Sequence, residues 1–509
     1  MILIELTAAV DAAGSLRTFF VSDGRFVTSP ADSPANIAFE EALLDPGSIA
    51  VTAFGDGRTG GGTRLSLGEI RLANADGRYD GWLGHGFDGR AVTVRSGPAA
   101  GGGAYPGDFA TVFSGTVETL TVSRSEVVVR LRDRQLVFDR PALAARYAGS
   151  NVLPAGLEGT ADDLKDQPKP RLLGRGLNIP APCVNTSRLI YQVSDGALAS
   201  VEGVYDRGAA LTFAGDLADG AALQAASPSG GTYLTCLAEG LVRLGGAPAG
   251  AVTVDATQGA SAAARTAAQM LRTLSLAAGV EGSAISLDDL AALDAANGAE
   301  LGLWLSGDTT FTAAMDQVAG SVGAWYGFDP AGLLRMGRLE APAGLPVLSL
   351  TDQDILEIER RPARDGDLPA WSYTVRHSKL WSVQGSDLAA GVDPARRAFL
   401  ASEYRAEKAE DATVKLQRLL AAEETADSLL TSAADAAAEA ARRLDLFKTR
   451  RDFFDVAVPA ALLATPDLRI GAVVMLTNAR FGLSEGKAFA LLGVKPELAR
   501  NRATLTLWG

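Results

Sequence analysis

The stretch of residues 126–138 constrains the fold most. Val127, Val129 and Leu131 alternate with Arg130, Arg132 and Arg134. A period of two puts the apolar side chains on one face and the guanidinium groups on the other, as in a strand with one side in a core and one in water. Similar β-branched runs precede it: Ile49-Ala-Val-Thr-Ala-Phe54, Ala91-Val-Thr-Val-Arg95 and Thr116-Val-Glu-Thr-Leu-Thr-Val122. Gly and Asp clusters separate them, which predicts short strands joined by turns over residues 1–140. Such a segment closes into a small barrel or a sandwich.

The rest of the chain changes character three times. Residues 141–258 hold Asp166-Gln-Pro-Lys-Pro170 and Ile179-Pro-Ala-Pro182, both structure breakers, and short strands such as Arg188-Leu-Ile-Tyr-Gln-Val193. They read as a loop-rich β insertion. Residues 259–345 read as a small α+β domain. Helices are predicted over 262–276, from Ser286 toward Ala296, and over 310–324, and a hairpin turn over 329–332. Ser286 and Asp289 stand in capping-box positions, with Asp for the usual Glu. Residues 346–509 return to β, with strands predicted over 347–350, 371–375, 453–458, 472–477, 488–494 and 503–508. One helix, about 429–448, interrupts them. Leu430, Ala434, Ala437, Ala441 and Leu444 form its predicted apolar face, and Arg442, Arg443 and Lys448 suit the negative end of its dipole. The fold class is therefore mainly β with α+β insertions, in several domains. A chain of 509 residues suggests about three or four at about 100–200 residues each.

Acidic residues outnumber basic ones by 60 to 47, a net charge of −13. This opposes nucleic-acid binding driven by phosphate neutralisation. No run of about 20 apolar residues is present, so no membrane span is expected. The start, Met1-Ile-Leu-Ile-Glu-Leu6, lacks the basic region of a secretory signal. Cys183 and Cys236 are the only cysteines and lack CxxC spacing, and they read as free thiols. His85 and His377 are the only histidines, too far apart for a His-rich zinc motif.

Several stretches look like chemistry. Gly55-Asp-Gly-Arg-Thr-Gly60 has dinucleotide-loop spacing, but Gly61, Gly62 and the extended Thr63-Arg-Leu-Ser-Leu67 stand where a helix must open. A hairpin tip fits better. Gly482-Leu-Ser-Glu-Gly486 has nucleophile-elbow spacing around Ser484, but a strand comes next and no histidine occurs after His377. A pair of His with Cys183 or Cys236 has no local support. Asn74, Asp76 and Asp80 could line a calcium loop but lack the terminal Glu, so an Asp-Gly turn is preferred. The basic stretches 130–140 and 448–451 lack base-stacking aromatics. The residues thus assign no catalytic, cofactor or metal site, and the chain reads as a structural or binding protein rather than an enzyme.

A further set of stretches resembles one family. They are Glu69-Ile-Arg-Leu-Ala-Asn-Ala-Asp-Gly77, Gly86-Phe-Asp-Gly-Arg90, Phe113-Ser-Gly-Thr-Val-Glu118 and Leu131-Arg-Asp-Arg-Gln135. Tyr147-Ala-Gly-Ser-Asn-Val-Leu-Pro-Ala-Gly156, Gly159-Thr-Ala-Asp-Asp-Leu-Lys165, Pro168-Lys-Pro-Arg171 and Val184-Asn-Thr-Ser-Arg-Leu-Ile-Tyr-Gln-Val-Ser-Asp-Gly196 extend it. Ala395-Arg-Arg-Ala-Phe-Leu-Ala-Ser-Glu-Tyr-Arg405 and Asn501-Arg-Ala-Thr-Leu-Thr-Leu-Trp-Gly509 complete it. Together they resemble the baseplate hub, or tail-tip, proteins of siphophages and prophages of alphaproteobacterial hosts. The resemblance implies a virion structural protein at the tail tip, assembled in the host cytoplasm. It implies a homotrimer whose two barrel-like β domains per chain make a pseudo-sixfold ring, adapting a sixfold tail tube to a threefold tip. Segments 1–140 and 346–509 are the candidate barrels. The implied partners are a distal tail protein ring, the C-terminus of the tape-measure protein and a tip or central fibre protein. Genomic DNA would pass through without specific binding. Some related tail-tip proteins carry an iron–sulfur cluster, but two cysteines cannot supply its usual four ligands, so no cofactor is expected. Two other readings stand beside this one: a virion-associated peptidoglycan hydrolase with a carboxylate pair in a cleft, and a receptor-binding adhesin.

Overall fold

A computed structural model describes residues 1–54, 60–98, 102–361, 368–497 and 500–509. The chain is a mainly β, multidomain protein with several sheets and a smaller number of helices.

The first sheet has nine strands. Its centre runs through Leu16–Ser22, Ile2–Ala9, Ala91–Ser96, Ala110–Val122, Glu126–Arg132 and Glu69–Ala73. Val127, Val129 and Leu131 are buried, as the alternation predicts, beside Ile70, Leu72, Val92, Val94 and Val117. Ile2–Ala9 is covered on both faces. Ile4 and Leu6 enter this core, while Leu3 joins Phe26, Phe39, Tyr105 and Phe109 on the other side.

The expected barrel closure is not found in this sheet. Its ladder ends at Phe26–Val27 on one side and at Leu43–Asp45 on the other. Both end strands are two or three residues long. The chain beyond Leu43–Asp45 leaves the sheet instead of sealing it. The predicted strand over 126–138 also stops early. It ends at Arg132, and Asp133 accepts a bond from the Gln135 amide at 2.9 Å, starting a 3-10 turn over Arg134–Phe138.

Residues 171–257, with Gly302–Leu305 as one edge strand, form two facing five-stranded sheets. Leu172, Ile179, Val193, Val204, Val242, Val254 and Trp304 fill the space between them. A short helix, Gly220–Ala225, closes one end.

The largest core gathers segments far apart in sequence. Helices Ala267–Ala277, Leu287–Ala296 and Phe311–Val322 supply Leu271, Leu293, Met315 and Val318. Each starts at a side-chain cap: Thr266, Ser286 or Thr310. The predicted helix over 262–276 therefore begins later, because Thr266 caps it after a separate 3-10 turn at Ala262–Ala264. The hairpin Ala324–Phe328 and Leu334–Arg338 comes next, turning at Gly332 with φ 85°. A three-stranded sheet of Ala370–His377, Arg405–Glu410 and Ala422–Asp427 contributes Tyr373 and Val375 to the same core.

The helix Ala433–Phe447 also packs here, but only in part by its predicted face. Ala434, Ala437 and Ala441 are exposed. Leu430 and Leu444 of that face are buried as predicted, and Ala436, Glu439, Ala440 and Arg443 are buried in place of the three alanines. Glu439 accepts from Arg442 Nε at 2.8 Å and Arg443 Nε at 2.6 Å. Arg443 then donates to Gly320 O at 2.6 Å and Arg442 to Val322 O at 3.4 Å. The two arginines thus serve the C-terminal carbonyls of Phe311–Val322, rather than the end of their own helix.

The last sheet runs Leu348–Leu350, Val473–Leu476, Lys487–Glu497, Arg502–Trp508, Phe453–Pro459, Glu357–Arg360, close to the predicted strands. It is an open path as well. A hairpin of Ile49–Thr52 and Arg64–Leu67 joins it from the beginning of the chain, with Val51 opposite Val494.

Candidate functional site

The structure disperses the motifs that looked like chemistry. Residues 55–59 of the glycine-rich motif lie outside the described residues. Beyond them come the extended pair Gly61–Gly62 and the strand Arg64–Leu67, and no helix opens there. Ser484 sits in the connection between Val473–Leu476 and Lys487–Glu497. Asn74 Nδ2 donates to Asp80 Oδ1 and to Ser123 O, both at 2.9 Å, and Asn74 Oδ1 accepts from the Tyr79 amide at 3.0 Å. Asp76 binds Arg78 at 2.6 Å. These groups tie down a turn. Among the described residues no cluster of three or more His, Cys, Asp or Glu could hold a metal.

The two histidines have other company than the cysteines. His85 stacks on Phe19, with ring centroids 5.8 Å apart. His377 Nδ1 lies 2.9 Å from Ser378 Oγ, and its Nε2 lies 3.8 Å from Glu407. Burial lowers the His377 pKa, and Glu407 only partly opposes this. Burial raises the pKa of both Cys183 and Cys236, which keeps them thiols rather than thiolates near neutral pH. Both are free.

What the structure does assemble is a junction. Residues 46–54 and 60–68 form a strap that leaves the first sheet and touches two others. Gly61–Gly62 pairs in parallel with Trp325 and Tyr326. The Gly62 amide donates to Asp316 Oδ1 at 2.8 Å, and the Thr63 amide to Tyr326 O at 2.7 Å. Tyr326 Oη donates to the same Asp316 oxygen at 2.9 Å. Thr63 lies over Gly327, where a β-carbon would come within 1.7 Å of Thr63 Oγ1. Gln135 locks the strap from the other side, its Nε2 donating to Thr63 O at 2.8 Å. Beside it, Arg134 donates to Gly332 O at 2.8 Å and lies over the Phe328 ring.

A cleft of about 460 Å³ opens along this junction, lined in part by Glu118, Arg132, Asp133, Asp139, Asp316 and Tyr326. Of these carboxylates, Asp133, Asp139 and Asp316 hold the frame. Asp133 caps the 3-10 turn and Asp139 accepts from Thr312 Oγ1 at 2.7 Å. Burial, reinforced by the charge of Asp139, raises the Asp133 pKa against the bonds from neighbouring amides. Sequence reasoning missed the junction because its partners are separated by some 70 to 270 residues.

A second feature is exposed. Leu416, Leu419 and Leu420 are 82%, 88% and 79% exposed, at the tip of the connection before Ala422–Asp427. Val414, in the same connection, is buried.

No family model and no curated protein matches the chain. Among solved structures it is similar to a tail protein from Neisseria meningitidis MC58, with 11% identity, 91% of this chain and 90% of that chain covered, and a TM-score of 0.41. It is also similar to the 43 kDa tail protein of prophage MuSo2 from Shewanella oneidensis, with 10% identity, 99% and 95% covered and a TM-score of 0.41. A chain of the virion of a native gene transfer agent particle gives 17% identity, 73% and 91% covered and a TM-score of 0.43.

Proposed function

We propose that this chain is a structural component of a phage-type tail, acting as the baseplate hub at the tail tip. The single observation that carries this reading is the strap. Ile49–Thr52 and Arg64–Leu67 belong by sequence to the first β segment, yet they extend the sheet of the last one. This holds two β modules of one chain together through backbone hydrogen bonds, the arrangement a trimer needs to present six modules. The motifs spread along the sequence support the same reading. The exposed leucines 416, 419 and 420 suit a part buried in an assembly, since contiguous exposed apolar surface marks contact sites.

On this reading segments 1–140 and 346–509 supply the ring, and the two middle segments form its periphery or plug. The chain forms a homotrimer between a distal tail ring and a tip or fibre protein, with the tape-measure C-terminus inside. The net charge of −13 lets DNA slide past without sticking, because phosphates gain nothing from an acidic wall. The role is structural and requires no catalytic group.

The test is the oligomeric state of the purified chain, by light scattering after size exclusion. Trimers at micromolar concentration are expected. A monomer that stays monomeric when mixed with the adjoining tail-tube protein would overturn the reading.

A further inference from the structure

The strands Ile190–Gln192, Leu241–Leu244 and Thr232–Cys236 lie side by side, with Ile190 and Leu234 flanking Arg243 across one face. Ile190, Leu223 and Leu241 are buried core residues there. Arg243 is the exception to this apolar surface, and it is only 6% exposed. Its Nη1 donates to the carbonyls of Leu223 at 2.6 Å and Gln224 at 2.8 Å, near the end of the helix Gly220–Ala225. Its Nε is buried with no hydrogen-bond partner.

Burial lowers the Arg243 pKa, and the like charge of Arg188 lowers it further. Arg188 Nε is also buried and without a partner. Among the described residues neither guanidinium has a carboxylate at salt-bridge distance. Another deeply buried arginine is treated differently: Arg443 meets Glu439 at 2.6 Å. Two like charges in a partly dry site repel, and a buried cation without a counter-ion is costly. With 60 acidic residues in the chain, acids are not in short supply, yet none is placed here.

We infer that Arg188 and Arg243 form a receptor for an oxyanion, a phosphate or carboxylate group, that comes from outside the chain. A guanidinium presents planar N–H donors that match such oxygens. The two carbonyl bonds fix the plane of Arg243 and leave its Nε unused. Arg188 is only partly buried and forms the entrance. The site lies in the β insertion, away from the strap junction, and does not depend on the tail reading.

The experiment is calorimetric titration of the full chain at constant ionic strength, with inorganic phosphate and, separately, acetate. One saturable site per chain is expected for at least one of them. At a hundredfold excess over Kd, the bound anion should raise Tm by about 5–10 °C. Arg188→Gln, at the entrance, should weaken binding at least ~10-fold, the loss of one charge-assisted bond. Arg243→Met should abolish binding and leave Tm in anion-free buffer unchanged or higher, because it removes an unpaired buried charge. Binding of phosphate alone assigns a phosphate group. Binding of acetate as well assigns a carboxylate, as on an acidic partner side chain. Absence of a saturable site for both anions would overturn the inference, as would binding that survives both substitutions unchanged.

Discussion

Replacing Glu439 by Gln tests how the largest core is held. The Glu439 side chain is 1% exposed and answers two guanidinium groups, Arg442 at 18% and Arg443 at 4% exposure. Burial alone would raise its pKa, but the bond from Arg442 and the charges of Arg443 and Arg442 outweigh that and lower it. Gln keeps the shape and removes the charge. Arg443 is then left as a buried cation with a carbonyl and a tyrosine hydroxyl for company. Breaking a buried pair by removing one partner costs about 3–5 kcal/mol. At about 2–4 °C per kcal/mol for a unit of this size, Tm should fall by about 6–20 °C. Thermal unfolding measured by tryptophan fluorescence reads this directly. The double variant Glu439→Leu with Arg443→Leu should recover most of the loss, since an apolar replacement of a buried pair is often neutral. The pH dependence has a definite sign. A carboxylate with a lowered folded pKa contributes stability above its unfolded pKa, and that contribution is lost as pH falls through the folded value. Glu439→Gln should therefore narrow its deficit relative to the parent in acid. A variant within about 1 °C of the parent at pH 7 would refute the argument, because an unpaired buried charge of that kind must cost more.

The geometry sets three other outcomes. Gly327→Ala places a methyl group on Thr63 and should unseat the strap, speeding amide exchange over residues 60–67 by at least ~10-fold while the nine-stranded sheet keeps its protection. Gly302→Ala should yield little soluble protein, because the new β-carbon would meet Arg175 O at 1.6 Å between paired backbones. In native protein, both thiols should react slowly with iodoacetamide at neutral pH. The partly exposed Cys183 should react before the buried Cys236, and both should react fast in denaturant.

Local order was legible where one face of an element meets a core. The alternation of Val127, Val129 and Leu131 placed all three inside. Ser286 does cap its helix, accepting from the Asp289 amide at 3.3 Å, although the Asp289 carboxylate turns to Arg335 instead of completing the box. The face of Ala433–Phe447 was legible at Leu430 and Leu444 but not at its alanines. Alanine is indifferent to either side, and the choice fell to Glu439 and Arg443, whose mutual pairing makes burial tolerable. The strand character of residues 49–52 could be read, but not its partner, since pairing with Val494 depends on contacts hundreds of residues away. Nor could Arg243 be singled out, because Leu-Val-Arg-Leu reads like any half-buried strand until its neighbours are known.

Electron microscopy of particles labelled with an antibody against this chain tests the proposed place at the tail tip most directly. Label confined to the tip is expected, with averaged density resolving three copies around the tail axis. Label along a protruding fibre, or absence of the chain from intact particles, would contradict it.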